Sequence, residues 1–380
     1  MSNLFVDIHV LQTLPPNNIN RDESGSPKTA IYGGTVRQRV SSQAWKRAIR
    51  TDFSTKFDAG KLGVRTKDVV KLVADEIAEL APEHKENALT WAQTSLEAAK
   101  IKVAVPKARA KSKAKDGELA EPEALPESAY LIFMGAAQAK NLAQLAIDSE
   151  GKPSKNAAIA ALNANQAIDV ALFGRMLADA KELSVDASTQ VAHAISVHEA
   201  VPEFDYFTAM DDKRGVDEAG ADMIGTVEFT SSTLYRYATI NVGALNKTLG
   251  DATVAAEATA QFIDSFARAM PTGKQNTFAN GTLPDAIVLS FSNEQPLSWV
   301  GAFEQAITAD FGGSRLEKTA TELAAHVQSF DEAYGLTTTR HVSAANKATH
   351  ALKKLGTGGS LPELTKIAGQ AVLDHLGRAE

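Results

Sequence analysis

The chain has 380 residues, no cysteine and a formal net charge of −7 at pH 7. The absence of cysteine excludes disulfides, thiolate zinc sites and a cysteine nucleophile, and it is typical of proteins from a reducing compartment. The N-terminal sequence shows no basic leader followed by an apolar core, and no apolar run approaches membrane-spanning length. We therefore expect a cytoplasmic protein of two or three structural units, or of one domain with sizeable insertions, without a membrane partner.

The first predicted element is a strand over residues 4–12, where aliphatic and β-branched residues surround Asp7 and His9. We interpret His9 as a hydrogen-bonded strand residue and not as a catalytic base. A loop rich in Pro, Asn, Gly and Ser follows over residues 15–27 and leads into the first strongly basic stretch.

Residues 28–50, KTAIYGGTVRQRVSSQAWKRAIR, contain six basic side chains and no acidic one. Gly33-Gly34 predicts a turn, and Ser41-Ser42 predicts the start of a helix. Lys46 and Arg50 share one face of that helix, and its apolar face is predicted to consist of Trp45, Ala48, Ile49 and Phe53. Free N–H groups, hydroxyls and cations at a helix N-terminus favour phosphate binding. A solvated helix face is the alternative, and from the residues alone the two interpretations have equal weight.

A second basic run follows a region of helical periodicity over residues 66–100. Residues 100–115 carry seven basic side chains and no acid, and the next residues are rich in acids and proline. We interpret this segment as a surface loop that attracts nucleic acid electrostatically, with an inert solvated loop as the alternative.

The remaining sequence alternates between helical and strand patterns. The predicted elements are helices within 128–182, a strand over 189–198, a projecting hairpin over 199–225, a strand over 226–242, a helix over 252–270 and a strand over 286–291, followed by helix and loop. With the strand 4–12 and a helix over 42–55, the order is βαββαβ with two insertions. This ferredoxin-like order is also that of the RRM, although the usual RRM aromatic signature is missing. The predicted fold class is α+β.

One long run and five further blocks, in the same order, resemble the CasC family, the CRISPR RNA-binding backbone subunit of type I-E Cascade. They are NRDESGSPKTAIYGGTVRQRVSSQAWKRAIR, QAIDVALFGRM, VAHAISVHEA, FDYFTAMDD, GTVEFTSSTLYRYATIN and GKQNTFAN. The resemblance runs from residue 3 to about residue 310 and is weaker after that.

The resemblance implies a hand-shaped architecture. An RRM-like palm would comprise residues 1–60, 183–198 and 226–380, the last of these including C-terminal helices. A helical fingers insertion would comprise residues 61–182, and a thumb hairpin would comprise residues 199–225. The family's members polymerise head to tail along a CRISPR guide RNA, with other Cascade subunits, and present the guide to target DNA. This implies a non-catalytic protein without metal or cofactor.

The resemblance also assigns RNA contacts position by position. Guide phosphates are expected at Lys28, Ser41, Gln43, Lys46 and Arg50. Further RNA contacts are expected from Arg175, Met176, Phe207, Thr208 and Lys274. Asn276 stands where we expect a basic residue in relatives, so one phosphate contact is altered here. The second basic run has no counterpart, and charge alone suggests DNA contacts by Lys107, Arg109, Lys111 and Lys113.

Two other functions are considered. Related backbone subunits cleave RNA with a thumb acid, and here Asp205, Asp211 and Asp212 lie in the thumb region, near His193 and His198. A metal-dependent site would need these groups to converge. We favour the interpretation that they are hairpin acids and strand histidines, because residues five apart on a regular strand face opposite sides. A scaffold without a nucleic-acid role is disfavoured by the segregated charge.

Overall fold

The structure, a computed structural model, describes residues 3–106, 125–209, 223–308 and 314–378. The chain forms two compact units. We call the described residues of Met1–Phe53, Thr189–Gly243 and Ala252–Glu380 the sheet unit, and those of Ser54–Ser188 and Ala244–Asp251 the helical unit. Several residues singled out above lie outside the described residues, namely Lys107, Arg109, Lys111, Lys113, Asp211 and Asp212.

The strands are β1 Phe5–Asn17, β2 Thr29–Tyr32, β3 Thr35–Val40, β4 Gly63–Thr66, β5 Val103–Ala104, β6 Glu127–Ser128, β7 Ile132–Gly135, β8 Thr189–Val191, β9 Ala194–Ser196, β10 Glu203–Ala209, β11 Met223–Asn241, β12 Ala286–Ser292, β13 Thr339–Ala344 and β14 Thr357–Gly358. The α-helices are α1 Ser42–Phe53, α2 Val69–Leu80, α3 Ala88–Ala98, α4 Ala136–Asp148, α5 Lys155–Asn163, α6 Ile168–Phe173, α7 Val242–Leu249, α8 Ala252–Arg268, α9 Gln275–Phe278, α10 Arg315–Tyr334 and α11 Leu361–Gly377. No helix in the described part of the chain is long and apolar enough to cross a membrane.

The sheet unit is built on a ten-stranded mixed sheet. Its path runs β14-β13-β12-β1-β11-β9-β3-β2, and β8 and β10 also pair with β11. The central strand β1 is antiparallel to β11 on one side and to β12 on the other. The strands β13 and β14 pair parallel, which makes the sheet mixed. The β2–β3 hairpin therefore lies at one edge of the sheet.

One face of the sheet is covered by helices α1 and α8. Val10 of β1 lies opposite Arg236 of β11, and the Arg236 guanidinium lies over the rings of Trp45 from α1 and Phe266 from α8. Alternate residues of a strand share a face, so Val6 and the residues that alternate with it pack on this side. Helix α11 packs on α8 in turn.

The opposite face is covered by α10 and by the turn around residues 299–307. Its core contains Leu11, Tyr235, Tyr237, Trp299, Phe303, Ile307, Leu323 and Val327. His9 is fully buried here and stacks on Trp299, with ring centroids 3.4 Å apart. Because both faces are covered at β1 and β11, the open sheet face on which an RRM stacks RNA bases is not available there.

Helix α1 follows the predicted pattern closely. Trp45, Ile49 and Phe53 are its buried residues, at i, i+4 and i+8, whereas Ala48 is only half-buried. The helix ends at Phe53, its last buried anchor, and not at the predicted residue 55. The apolar stripe predicted from the sequence thus fixes which face of α1 is turned away from the sheet.

The helical unit has a core of its own between α2, α3, α4 and α5. Val73, Ile77, Leu96, Leu142 and Leu162 are each no more than 1% exposed. The strands β4 and β7 form a separate antiparallel pair, and Asp169 accepts a hydrogen bond from the Gly63 N–H at 2.8 Å. The predicted fingers insertion, residues 61–182, falls inside the limits of this unit.

The structure differs from the sequence-based prediction in several strands, and β7 lies within the region 128–182 that was predicted as helical. The predicted strand 189–198 is divided into β8 and β9, and the predicted loop after residue 12 begins as a continuation of β1 to Asn17. The register of β1 skips between Leu14 and Asn17, so Pro15 and Pro16 lie in a bulge where no ladder hydrogen bond is lost. The strand β13, predicted as helix or loop, pairs with β12.

Candidate nucleic-acid interface

Asn20 joins the N-terminal loop to both ends of the first basic stretch. Its carbonyl accepts a hydrogen bond from the Lys28 N–H at 2.9 Å, and its side-chain oxygen accepts one from the Ser41 N–H at 2.7 Å. The Arg39 N–H in turn donates to the Lys28 carbonyl at 2.8 Å. The backbone at Lys28 and the start of α1 are therefore held side by side.

The first turn of α1 presents polar and basic groups. Ser41 precedes the helix, and its hydroxyl accepts a long hydrogen bond of 3.4 Å from the Ala44 N–H. Gln43 is exposed, Lys46 and Arg50 are half-buried, and the first turn contains no acid. A phosphate near this turn would meet the positive end of the helix dipole, N–H groups and two cations.

Arg39 and His193 extend the basic region beyond α1. A guanidinium nitrogen of Arg39 lies 3.0 Å from His193 Nδ1, and the Arg39 Nε donates to the Thr29 carbonyl at 3.2 Å. Burial lowers the pKa of His193, and the charges of Arg39 and then Lys28 lower it further. The Arg39 side chain lies against His193 and the Arg39 N–H donates to the Lys28 carbonyl, so these three residues lie close together. We call Lys28, Arg39, Ser41, Gln43, Lys46, Arg50 and His193 the basic surface.

Arg37 belongs to the basic stretch but not to this surface. Its guanidinium is completely buried and donates to the carbonyls of Ser196 and Phe303, each at 3.0 Å, and of Glu304 at 3.3 Å. It fastens the β2–β3 hairpin to the turn around residues 299–307. Arg37 is therefore a structural residue, although the sequence analysis counted it with the other five basic side chains of this stretch.

The loop that carries Lys274 packs against the N-terminal loop. Lys274 itself has a left-handed backbone with φ of 50°, which is uncommon for a residue other than glycine or asparagine. A Cβ on Gly273 would lie 2.5 Å from the Ile19 carbonyl oxygen, so only glycine allows this approach. Since Asn20 follows directly, Lys274 is brought to the loop that positions Lys28 and Ser41. Asn276 is exposed in the short helix α9, which begins directly after Lys274.

In the helical unit, the adjacent residues Arg175 and Met176 have opposite environments. The Arg175 guanidinium is buried and donates to the carbonyls of Leu183 and Phe133, at 2.9 and 3.2 Å, and to Gln138 Oε1 at 3.1 Å. Burial lowers the pKa of Arg175 to about 10. Met176 is 87% exposed. Arg175 therefore contacts protein groups and positions the corner, while Met176 offers a flexible apolar side chain to a ligand.

The β10–β11 hairpin exposes aromatic side chains. Phe204 and Tyr206 alternate on one face and are 70% and 63% exposed. Phe207, on the other face, lies across from Gly225, where a Cβ would be 2.4 Å from its ring. Thr208 is also exposed. Sequence reasoning singled out Phe207 and Thr208, whereas the most exposed rings among the described residues of this hairpin are those of Phe204 and Tyr206.

Comparison with known proteins identifies the family. A family model described as CT1975-like protein matches residues 6–367. The chain belongs to the CT1975-like protein family. The match continues well past residue 310, so it includes the C-terminal region where the sequence resemblance weakened.

Two solved structures contain chains similar to this CT1975-like protein. One, described as "CRISPR RNA-guided surveillance complex, pre-nicking", has a chain with 33% identity and a TM-score of 0.81, covering 97% of this chain and 100% of that chain. Another, described as "CRISPR RNA-guided surveillance complex", has a chain with 28% identity and a TM-score of 0.71, covering 97% and 99%. No curated protein matches this chain.

The histidines considered for metal-dependent cleavage have other partners in this CT1975-like protein. His193 contacts Arg39, while His198 is 3% exposed and lies beside the Glu199 carbonyl at 2.6 Å. Among the described residues, no three His, Asp or Glu side chains gather as a metal site would require. Asp205 lies on β10, opposite Val227.

Proposed function

We propose that this protein is the CRISPR RNA-binding backbone subunit of a type I-E Cascade complex, corresponding to CasC. It would bind guide RNA without cleaving it, polymerise head to tail along the guide with other Cascade subunits in the cytoplasm, and present the guide to target DNA. Membership of the CT1975-like family supports this proposal. So does the similarity, over 97% of the chain, to chains from CRISPR RNA-guided surveillance complexes.

The observation that carries the proposal is the basic surface of an otherwise acidic chain. Two segments meet there, the loop ending at Lys28 and the N-terminus of α1, and the loop that carries Lys274 packs against the adjoining N-terminal loop at Ile19. A chain with a net charge of −7 repels polyanions in general, so binding must be local and phosphate-directed. The helix N-terminus and the cations around it provide the groups that phosphate requires.

The sheet order supports an RRM-like palm with two insertions. The strands β12, β1, β11 and β8 with β9 are neighbours in that order, all antiparallel, as in the ferredoxin-like arrangement. In this proposal the helical unit is the fingers and the β10–β11 hairpin the thumb. RNA would run past the edge of the sheet at the basic surface, because α10 covers the face that an RRM uses.

The proposal is tested by measuring how RNA affinity depends on salt. Lys46→Ala with Arg50→Ala should lower the affinity for single-stranded RNA and reduce the slope of log K against log salt by about one unit per lost phosphate contact. Both are outside the buried stripe of α1, so circular dichroism should show an intact fold. The matched control is Lys353→Ala with Lys354→Ala, an exposed pair elsewhere in the sheet unit, which should leave the slope unchanged.

An unchanged slope in the Lys46 and Arg50 double variant would contradict the proposed site. The same preparations should be incubated with guide and target, with and without divalent metal ions. Metal-dependent cleavage of RNA would show that the protein is a nuclease and would contradict a purely RNA-binding function. Failure of the wild-type protein to bind RNA at all would favour a scaffold.

A further inference from the structure

Arg236 is a buried cation that contacts no carboxylate among the described residues. It is 1% exposed, and its contacts in the described residues are the Trp45 and Phe266 rings, Gln12 Oε1 at 2.5 Å and the Phe266 carbonyl. Its Nε has no hydrogen-bond partner there. Burial lowers the pKa of Arg236 to about 9.

Packing alone does not account for an arginine at this position. Arg236 shares its face of β11 with Leu234, Ala238 and Ile240, which are apolar and completely buried. An apolar side chain of similar volume would avoid the desolvation of a charge, and such replacements are often neutral or stabilising. The guanidinium must therefore provide something that an apolar side chain cannot, namely a flat cation with hydrogen-bond donors in fixed directions.

The guanidinium contacts two side chains that lead to separate parts of the candidate RNA site, one by stacking and one by a hydrogen bond. On one side the guanidinium is stacked 3.7 Å from the centroid of Trp45, the buried anchor next to Lys46 in α1. On the other it fixes Gln12, whose Nε2 donates to the Thr282 carbonyl at 2.8 Å and also lies 3.4 Å from Met270 Sδ. Residues 270–282 form the loop that carries Lys274. Arg236 and Gln12 thus connect α1 to this loop through the interior.

We propose that Arg236, acting through Trp45 and Gln12, is a positioning residue that holds the α1 cations and Lys274 at the spacing needed to contact one RNA strand simultaneously. This inference rests on the proposed function, since it concerns the same site. Arg236 itself touches no RNA. When its link to the loop is broken, α1 still binds RNA but Lys274 no longer contributes.

The test is a double-mutant cycle on single-stranded RNA affinity, measured by filter binding over a range of salt concentrations. Arg236→Lys keeps the charge but loses the two-sided stacking and the forked donors. It should lower affinity about tenfold at about 0.1 M salt and reduce the salt slope by about one unit, as Lys274→Ala should. In the Arg236→Lys background, Lys274→Ala should then cost less than twofold, because that contact is already lost.

Gln12→Glu provides a second variant in case Arg236→Lys folds poorly. It gives Arg236 a carboxylate partner but removes the donor to Thr282, so the fold should be retained while the slope falls by about one unit. Arg340→Lys is the matched control. Arg340 is also buried beside an aromatic ring, that of Trp299 at 5.4 Å, but it pairs with Asp331 and should not affect the slope.

The inference is wrong if Lys274→Ala has the same effect in the wild-type and Arg236→Lys backgrounds, or if the Arg236 and Gln12 variants change only the melting temperature. Either result would leave the proposed function intact, because the wild-type protein would still bind RNA. If the wild-type protein does not bind RNA, the proposed function fails and this inference fails with it.

Discussion

His198 is held as a neutral imidazole in the interior of the sheet unit. Its Nε2 accepts a hydrogen bond from the Thr233 N–H at 3.1 Å and lies 3.3 Å from Arg315, while Nδ1 donates to the Glu199 carbonyl. Burial, followed by the charges of Arg315 and Arg37, lowers the pKa of His198 to about 4. Protonation would remove an acceptor and place a cation beside two arginines.

We predict that His198 makes the protein acid-sensitive. The unfolded state takes up this proton near pH 6.5 and the folded state only near pH 4, so stability is lost as pH falls between them. His198→Gln, whose side-chain oxygen can still accept from Thr233, should remove up to about 3 kcal/mol of that loss. Urea unfolding of the wild-type protein and the variant at neutral and acidic pH measures this loss of unfolding free energy. An unchanged pH dependence would contradict the prediction.

Asp7→Asn should act in the opposite direction and serves as the comparison. Burial raises the pKa of Asp7 to about 6, so the folded state binds this proton more tightly than the unfolded state. Its contribution to stability is therefore present at low pH and lost as pH rises through 6. In Asp7→Asn, the free energy of unfolding should therefore decrease less as pH rises, whereas in His198→Gln it should decrease less as pH falls.

Among the elements, the β2–β3 hairpin depends on two successive glycines with different constraints. Both have left-handed backbones, with φ of 57° at Gly33 and 77° at Gly34. A Cβ on Gly33 would lie 1.5 Å from the Glu304 carbonyl oxygen, whereas one on Gly34 would meet no atom within 4 Å. Both positions therefore favour glycine for its left-handed conformation, but only Gly33 also lacks the space for a Cβ.

We predict that Gly33→Ala is much more harmful than Gly34→Ala. Gly34→Ala should cost only about 1–2 kcal/mol of unfolding free energy, from the left-handed conformation. Gly33→Ala adds a backbone clash and should detach the hairpin from the turn that Arg37 grips, with a loss of RNA affinity as well. Thermal unfolding and filter binding compare the two. Equal effects would show that the hairpin does not pack against Glu304.

The β10–β11 hairpin presents two exposed aromatic rings, those of Phe204 and Tyr206. Phe204→Ser with Tyr206→Ser should weaken single-stranded RNA binding by about 1–3 kcal/mol per stacked base, with no loss of thermal stability. The control, Phe330→Ser with Tyr334→Ser, removes two exposed rings from α10 and should leave affinity unchanged. Equal losses in both variants would indicate nonspecific stacking.

For the whole molecule, charge distribution leads to a prediction about DNA. Two of the seven basic side chains in the second basic run lie in the described part of the chain, and both are paired with acids: Lys100 with Glu182 at 3.4 Å and Lys102 with Asp179 at 3.1 Å. Replacing Lys107, Arg109, Lys111 and Lys113 with Gln should slow target DNA capture at low salt and leave the RNA content of the purified complex unchanged. Unaffected DNA capture would identify the run as a solvated loop, and reduced RNA content would place it at the guide.

The sequence-based prediction was most accurate where a single periodic apolar pattern packs against a single surface. The stripe at Trp45, Ile49 and Phe53 predicted both the helix and its buried face. Arg37 and Arg175 were not recognisable as buried, because most of their hydrogen-bond acceptors are backbone carbonyls, which any sequence provides. Arg236 did leave a signal, since it interrupts the apolar alternation of β11. The interior link from Arg236 through Gln12 to Thr282 depends on three distant segments and cannot be obtained from local patterns.

The surroundings of the tryptophans have an optical consequence. The sequence contains three, and each ring lies near a basic side chain: Trp45 under Arg236, Trp91 4.8 Å from His84, and Trp299 on His9. Trp45 is the one attached to the candidate RNA site, through the helix that carries Lys46. A protein with Trp91→Phe and Trp299→Phe would therefore keep a single tryptophan, buried beneath the proposed site, and we expect its emission, excited selectively over the tyrosines, to change on RNA binding without any label.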